Sequence, residues 1–171
     1  MEEEKVLYQA TLCFPIDGER VLLAFKTKKI GKDRWNGYGG GIKKGETPRG
    51  AAVRELKEES GLDVLQADLT KMAVVDFHNT TAKGENFICQ VHVFVTPRWT
   101  GVPTGDEAMI TPTWFEINNL PFEEMMPADR FWLPPVLDGK KIRAEVHYGP
   151  FQKELRQEVK INEVDSLPET V

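Results

Sequence analysis

Apolar positions in this chain fall in short runs separated by turn residues. "VLYQATLCF" and "RVLLAFK" flank "PIDGE", where Asp17-Gly18 signals a turn, so they predict a strand pair. "LTKMAVVDFHN" and "FICQVHVFVT" predict two further strands around "TTAKGEN". "TPTWFEI" predicts another strand, and "KIRAEVHY" with "KELRQEVKI" a closing hairpin. The intervening stretch "TKKIGKDRWNGYGGGIKKGE" has six glycines and no sustained period. It reads as a long loop, and long loops inside compact domains are usually functional.

One helix has well-signalled ends. Thr47 is the N-cap candidate, Pro48 takes the first helical position, and Gly61 lies just past the last turn. "ADRFWLPPVLDG" predicts a short second helix that Pro134 and Pro135 cut or kink. The last eight residues read as loose, and there is no internal repeat. Many strands with one strong helix early and another late predict a mixed sheet covered by helices, α/β or α+β in class.

At 171 residues the chain is expected to form a single domain, 1–171, with its core over about 6–165. It is 40% hydrophobic and 29% charged, ordinary globular values, and no apolar run has the length of a membrane span. The start, "MEEEK", is acidic where a secretory signal is basic, which favours a cytoplasmic location and no membrane partner. Cys13 and Cys89 lack the paired spacing of a zinc or redox site and read as buried free thiols. His78, His92 and His147 likewise have no ligand spacing and read as ordinary strand residues. A net charge of -5 without a basic cluster argues against a long nucleic acid. A small phosphorylated ligand stays open, because a bound dication supplies positive charge locally.

Within "RELKEESG", Glu55, Glu58 and Glu59 fall at about 0°, 300° and 40° around the helix, so they share a face. Ala51 and Ala52 lie on the same side and are small enough for something else to approach, while Val53 and Leu56 turn towards the core. Like charges at these spacings cost about 0.2–0.5 kcal/mol per pair on an exposed helix, which a solvated face tolerates. Three convergent hard oxygens also suit Mg²⁺, which takes one or two carboxylates and keeps positions for water and phosphate. Gly37, Gly39, Gly40 and Gly41 just upstream let the backbone approach a ligand, and a glycine carbonyl could add an oxygen.

Gly40, Glu46, Arg54, Glu55, Leu56, Glu58, Glu59, Gly61 and Leu62 match every fixed position of the box G-x5-E-x7-R-E-U-x-E-E-x-G-U, with U aliphatic. On these residues the chain resembles the Nudix hydrolase family. The resemblance implies an α-β-α sandwich around a mixed central sheet and metal-dependent hydrolysis of a nucleoside diphosphate linked to another group. It implies Mg²⁺, or Mn²⁺, held by Glu55, Glu58 and Glu59 with the Gly40 carbonyl, and Arg54 orienting the glutamates. The base that activates water varies among relatives; Glu55 and Glu107 are the leading candidates, with Asp106 competing.

Outside the box, "RWNGYGG", "VHVF", "WFEINNLPFEEM" and "FWLP" are similar to the MutT-homologue branch, whose members convert oxidised purine triphosphates such as 8-oxo-dGTP to monophosphate and pyrophosphate. By position this resemblance implies that Asn36 and Asp129 hydrogen-bond the base, Phe77 and Trp132 line its pocket, and Lys26 faces the phosphates. Where that branch has Trp-Pro-Asp-Asp, this chain has Met126-Pro127-Ala128-Asp129, so one of the paired carboxylates is missing. A substrate of another kind within the family, such as a nucleotide sugar or a dinucleoside polyphosphate, is the alternative, and a non-catalytic nucleotide-binding module a further one.

Overall fold

The computed structural model describes residues 6–171, so the acidic start at 1–5 lies outside the described residues. Its order is β1 (Gln9–Asp17), β2 (Arg20–Lys26), β3 (Arg34–Asn36), β4 (Tyr38–Gly41), α1 (Pro48–Ser60), β5 (Thr70–Thr80), β6 (Asn86–Thr96), β7 (Met109–Glu116), α2 (Asp129–Leu137), β8 (Ile142–Pro150) and β9 (Lys160–Glu163). The fold is mixed α+β. Along the sheet the strands run β3-β2-β1-β6-β5-β8-β9, with β4 added to β1 and β7 to β2. Pairs β1–β6 and β5–β8 are parallel and the others antiparallel, so the sheet is mixed.

β1 divides one of its edges between two partners. Its Ala10–Cys13 half pairs with β4, while Ile16 and Asp17 pair with the start of β2. The segment read as a loop therefore contains β3 and β4, a correction with a physical reason. Tyr38 is fully buried opposite Cys13, and tertiary pairing overrides the poor strand propensity of the glycines that follow it. A Cβ on Gly39 would lie 1.8 Å from the Thr11 carbonyl oxygen, so the strand runs where only glycine fits.

The side chains of the sheet alternate between two cores. On one side Cys13, Leu22, Tyr38 and Phe94 pack with Ala52 and Leu56 of α1 and with Leu62. On the other, Phe14, Val75, Phe77, Val93 and Val146 pack with Trp132, Leu133 and Val136 of α2. Each helix thus covers one face.

The ends of α1 match their sequence signals: Thr47 Oγ1 accepts from the Gly50 amide at 3.1 Å, and Gly61 closes the helix at φ 78°. α2 departs from expectation, because it is not cut at its prolines but runs on to Leu137. The missing N–H groups fall near its end, where the amides of Asp138 and Lys140 bond back to the Pro134 and Pro135 carbonyls. The tail also departs from the loose segment expected. Glu169 makes a paired contact with Arg49 at 2.8 and 3.0 Å, and Lys71 donates to the Pro168 carbonyl. No helix among the described residues is long and apolar enough to cross a membrane.

Gly39→Ala should lower stability by about 1–3 kcal/mol or more, read as a lower urea midpoint at unchanged slope, because the strand must move to admit the methyl.

Candidate active site

Helix α1 lies against the glycine strand, and that contact decides where its carboxylates go. Ala51 and Ala52 are fully buried, so the sheet is what approaches their small side chains, and the carboxylate face borders the core rather than turning away from it. Because the residues of β4 have no side chains after Tyr38, Glu55 and Glu59 turn inward onto its backbone. The Gly39 amide donates to Glu59 Oε1 at 2.8 Å, and a Cβ on Gly40 would sit 2.6 Å from Glu55 Oε1. Glu58 stays at the exposed rim.

Arg54 organises the cluster. Its guanidinium forks onto Glu46 at 2.7 and 2.9 Å, reaches Glu55 at 2.8 Å and Glu58 at 3.4 Å, and donates to the Gly41 carbonyl at 3.1 Å. Such bidentate pairs fix orientation as well as adding energy. The hydrogen bonds from Arg54 hold the Glu46 carboxyl down at about 2. Glu46 also accepts from the Lys43 amide at 2.8 Å, so the loop entering α1 is anchored at both ends.

Glu59 receives none of these contacts from Arg54. Burial first, and then the charge of Glu55, push its carboxyl up to about 8, partly offset by the Gly39 amide. The Tyr38 hydroxyl, buried beside it, has no hydrogen-bond partner among the described residues; burial first, then the Glu59 and Asp106 charges, raises its pKa. A cluster of hard oxygens with too little positive charge is the donor set that a divalent cation completes, so the residues fit Mg²⁺ or Mn²⁺.

The loop candidates separate. Glu107 is exposed and its carboxylate pairs with Lys28 at 3.4 Å, while its neighbour Asp106 bears electrostatically on Glu59. Asp106 also caps its own turn, accepting from the Ala108 and Met109 amides at 2.8 and 2.7 Å.

Of the residues proposed for base recognition, Phe77 and Trp132 lie in the core on the α2 side of the sheet. A Cβ on Gly31 would meet Lys26 Cδ, Met126 Sδ and Asn36 Nδ2 at 3.4 to 3.5 Å, so these three side chains surround one point of the β2–β3 loop. Lys26 Nζ donates to the Ile30 carbonyl at 2.5 Å, and its charge also reaches Glu59, linking this region to the carboxylates. Trp132 and Phe77 lie deeper. Trp132 packs edge-on to Phe14 and donates to Asp129 Oδ1 at 3.2 Å, while Phe77 stacks on Tyr148 with centroids 6.0 Å apart. Burial pushes the Asp129 carboxyl up to about 7. Arg34 donates to the Met125 carbonyl and its charge bears on Asp129; Tyr148 accepts from the Ala128 amide at 2.9 Å. Sequence reasoning missed both Arg34 and Tyr148. Arg34 had a local signal, since it stands two residues before Asn36 in an alternating strand; Tyr148 had none, because its contact spans 20 residues.

The NUDIX domain profile matches residues 7–135. This chain belongs to the Nudix hydrolase family. An oxidized purine nucleoside triphosphate hydrolase of Mus musculus is 36% identical over 92% of this chain and 96% of its own length. Its Danio rerio counterpart by name is 37% identical over the same shares. Among solved structures, a MutT protein from Bacillus halodurans superposes with a TM-score of 0.73 over 91% of this chain and 98% of its own, at 22% identity, a likeness of fold. Nudix hydrolases act on small nucleotide substrates and generally use divalent metals.

Glu46→Gln should destabilise the protein at neutral pH. A carboxyl held below its ordinary 4.5 contributes stability above that value and loses it as pH falls towards about 2. The stability gap between wild type and variant, from chemical denaturation, should therefore be full at pH 7 and shrink through that window.

Proposed function

We propose that this Nudix hydrolase is a Mg²⁺-dependent nucleoside triphosphate pyrophosphohydrolase of purine substrates, oxidised purines included, releasing monophosphate and pyrophosphate. The observation that carries the reading is the carboxylate cluster of α1: Glu55 and Glu59 turn onto the glycine strand, Glu58 stands at the rim, and Arg54 braces Glu55 and Glu58. Relatives named for oxidised purine triphosphates, alike over 92% of the chain, support the substrate class. Residues 1–171 act as one catalytic domain in this reading. Cys13 and Cys89, both buried and unpaired with thiols held above their ordinary range, support a reducing, cytoplasmic setting.

Glu55, Glu58, Glu59 and the Gly40 carbonyl would hold the cation. When bound it neutralises phosphate charge and acidifies an attacking water. The chain's own groups do the rest. Arg54 keeps Glu55 and Glu58 in position, Lys26 meets phosphate charge, and Glu55 takes the proton of the water, with Glu107 or Asp106 as the loop alternative. Water adds to phosphorus, the α–β anhydride bond breaks, and pyrophosphate leaves.

On the base side, Asn36 offers a donor and an acceptor, with Phe77 and Trp132 as the apolar walls. Asp129 contributes according to its proton: protonated it donates, ionised it accepts. With Ala128 beside it, this chain reads the base with one carboxyl.

Glu58→Gln should leave the fold intact, because the side chain is exposed, yet lower kcat/KM by roughly 100-fold, about 2.7 kcal/mol, at saturating Mg²⁺. The assay is pyrophosphate release across a panel of normal and oxidised triphosphates, nucleotide sugars and dinucleoside polyphosphates. Absence of Mg²⁺-dependent pyrophosphate release from every triphosphate refutes the proposal.

Asp129 predicts a pH effect. Its folded carboxyl titrates at about 7, above its ordinary 3.8, so ionising it costs folding stability progressively as pH rises through that window. The kcat/KM ratio of oxidised to normal guanine triphosphate should change across roughly pH 6 to 8 in the wild type and stay flat in Asp129→Asn.

A further inference from the structure

We propose that His78, Glu145 and His147 form a second metal site, suited to a transition-metal dication such as Zn²⁺ and separate from the carboxylates of α1. His78 and His147 are Cα partners on the parallel strands β5 and β8, so they leave the same face of the sheet at the same level. Glu145, two residues earlier on β8, shares that face. Its Oε1 lies 2.9 Å from His147 Nε2 and 3.5 Å from His78 Nε2, and the three ligand atoms fall within 4.8 Å of one another. In a tetrahedral site with bonds of about 2.0–2.1 Å the ligand atoms stand roughly 3.3–3.4 Å apart, a spacing these two separations bracket.

The donor set selects the metal. Two imidazoles and one carboxylate suit Zn²⁺, Ni²⁺ or Cu²⁺, whereas Mg²⁺ prefers oxygen alone. The rings now stack, with centroids 4.0 Å apart and planes at 12°. Ligation asks each ring to turn about χ2, a broad torsion, and to carry its proton on Nδ1 so that Nε2 is free; Glu145 then gives a lone pair to the metal in place of its contact with His147. His78 and His147 border a cleft of about 390 Å³ that Asn79, Asn86 and Arg156 also line. Three protein ligands leave a fourth position for water or for a small anion in that cleft. On the opposite face, the neighbours Phe77 and Tyr148 stack together in the core beside α2, which gives the site a rigid base.

The test is a titration of the whole protein with Zn²⁺ under excess Mg²⁺, which keeps the α1 carboxylates occupied. Bound zinc is counted by equilibrium dialysis, and imidazole nitrogens are followed by long-range ¹H–¹⁵N spectra. One equivalent of Zn²⁺ should move the His78 and His147 resonances and leave buried His92, whose Nε2 contacts Gln9 at 2.8 Å, in place. His78→Ala with His147→Ala should lose that equivalent. Glu145→Gln, which keeps both rings, should weaken it at least ~10-fold, the scale on which even outer-shell partners act. Unmoved His78 and His147 signals at one equivalent overturn the site. So does an equal zinc count in the double variant or, should that variant fail to fold, an unchanged affinity in Glu145→Gln.

Discussion

The approach of α1 to a strand whose last three residues are glycines is the constraint on which the candidate site depends. Antiparallel pairing of Gly39, Gly40 and Gly41 with β1 lets the helix come close enough for Glu55 and Glu59 to meet backbone. Any Cβ at Gly39 or Gly40 would collide with the Thr11 carbonyl or with the Glu55 carboxylate. Removing the glycines would therefore displace the strand and the acidic cluster together.

Charge is then distributed unequally over that cluster. Arg54 takes up Glu46, Glu55 and part of Glu58, which leaves Glu59 beside Glu55 with an amide as its hydrogen-bond donor. Guanidinium suits this task because its planar fork holds several carboxylates at once and does not lose its charge. The helix is thereby held in a state short of positive charge, and its burial amplifies the shortage. That imbalance is what the proposed cation would relieve, since a dication placed among like charges offsets their repulsion.

Much of this was legible in the residues. The ends of α1 followed from Thr47, Pro48 and Gly61, since caps are local interactions within a few residues. The family followed from fixed spacings across Gly40 to Leu62, because the contacts that need those spacings all lie within one loop and one helix. The second helix was found but not its length, because two prolines close to its C-terminus remove few bonds. β4 was missed because Tyr38 and three glycines have no period of their own; their strand geometry comes from β1. The tail looked loose because its partners, Arg49 and Lys71, stand 120 and 97 residues away in the chain.

By itself, then, the sequence determined the fold class, the ends of the carboxylate-bearing helix and the family, all of which rest on short-range patterns and composition. Only the tertiary structure decided which way the carboxylates point, that Glu107 faces solvent while Asp106 bears on Glu59, and that Arg34 and Tyr148 stand around Asp129. It also brought His78 and His147, 69 positions apart in number, onto one register of a parallel pair. The physical reason is common to these cases: sheet pairing and helix packing join residues across distances over which sequence carries no period, so direction and company are set by the fold as a whole.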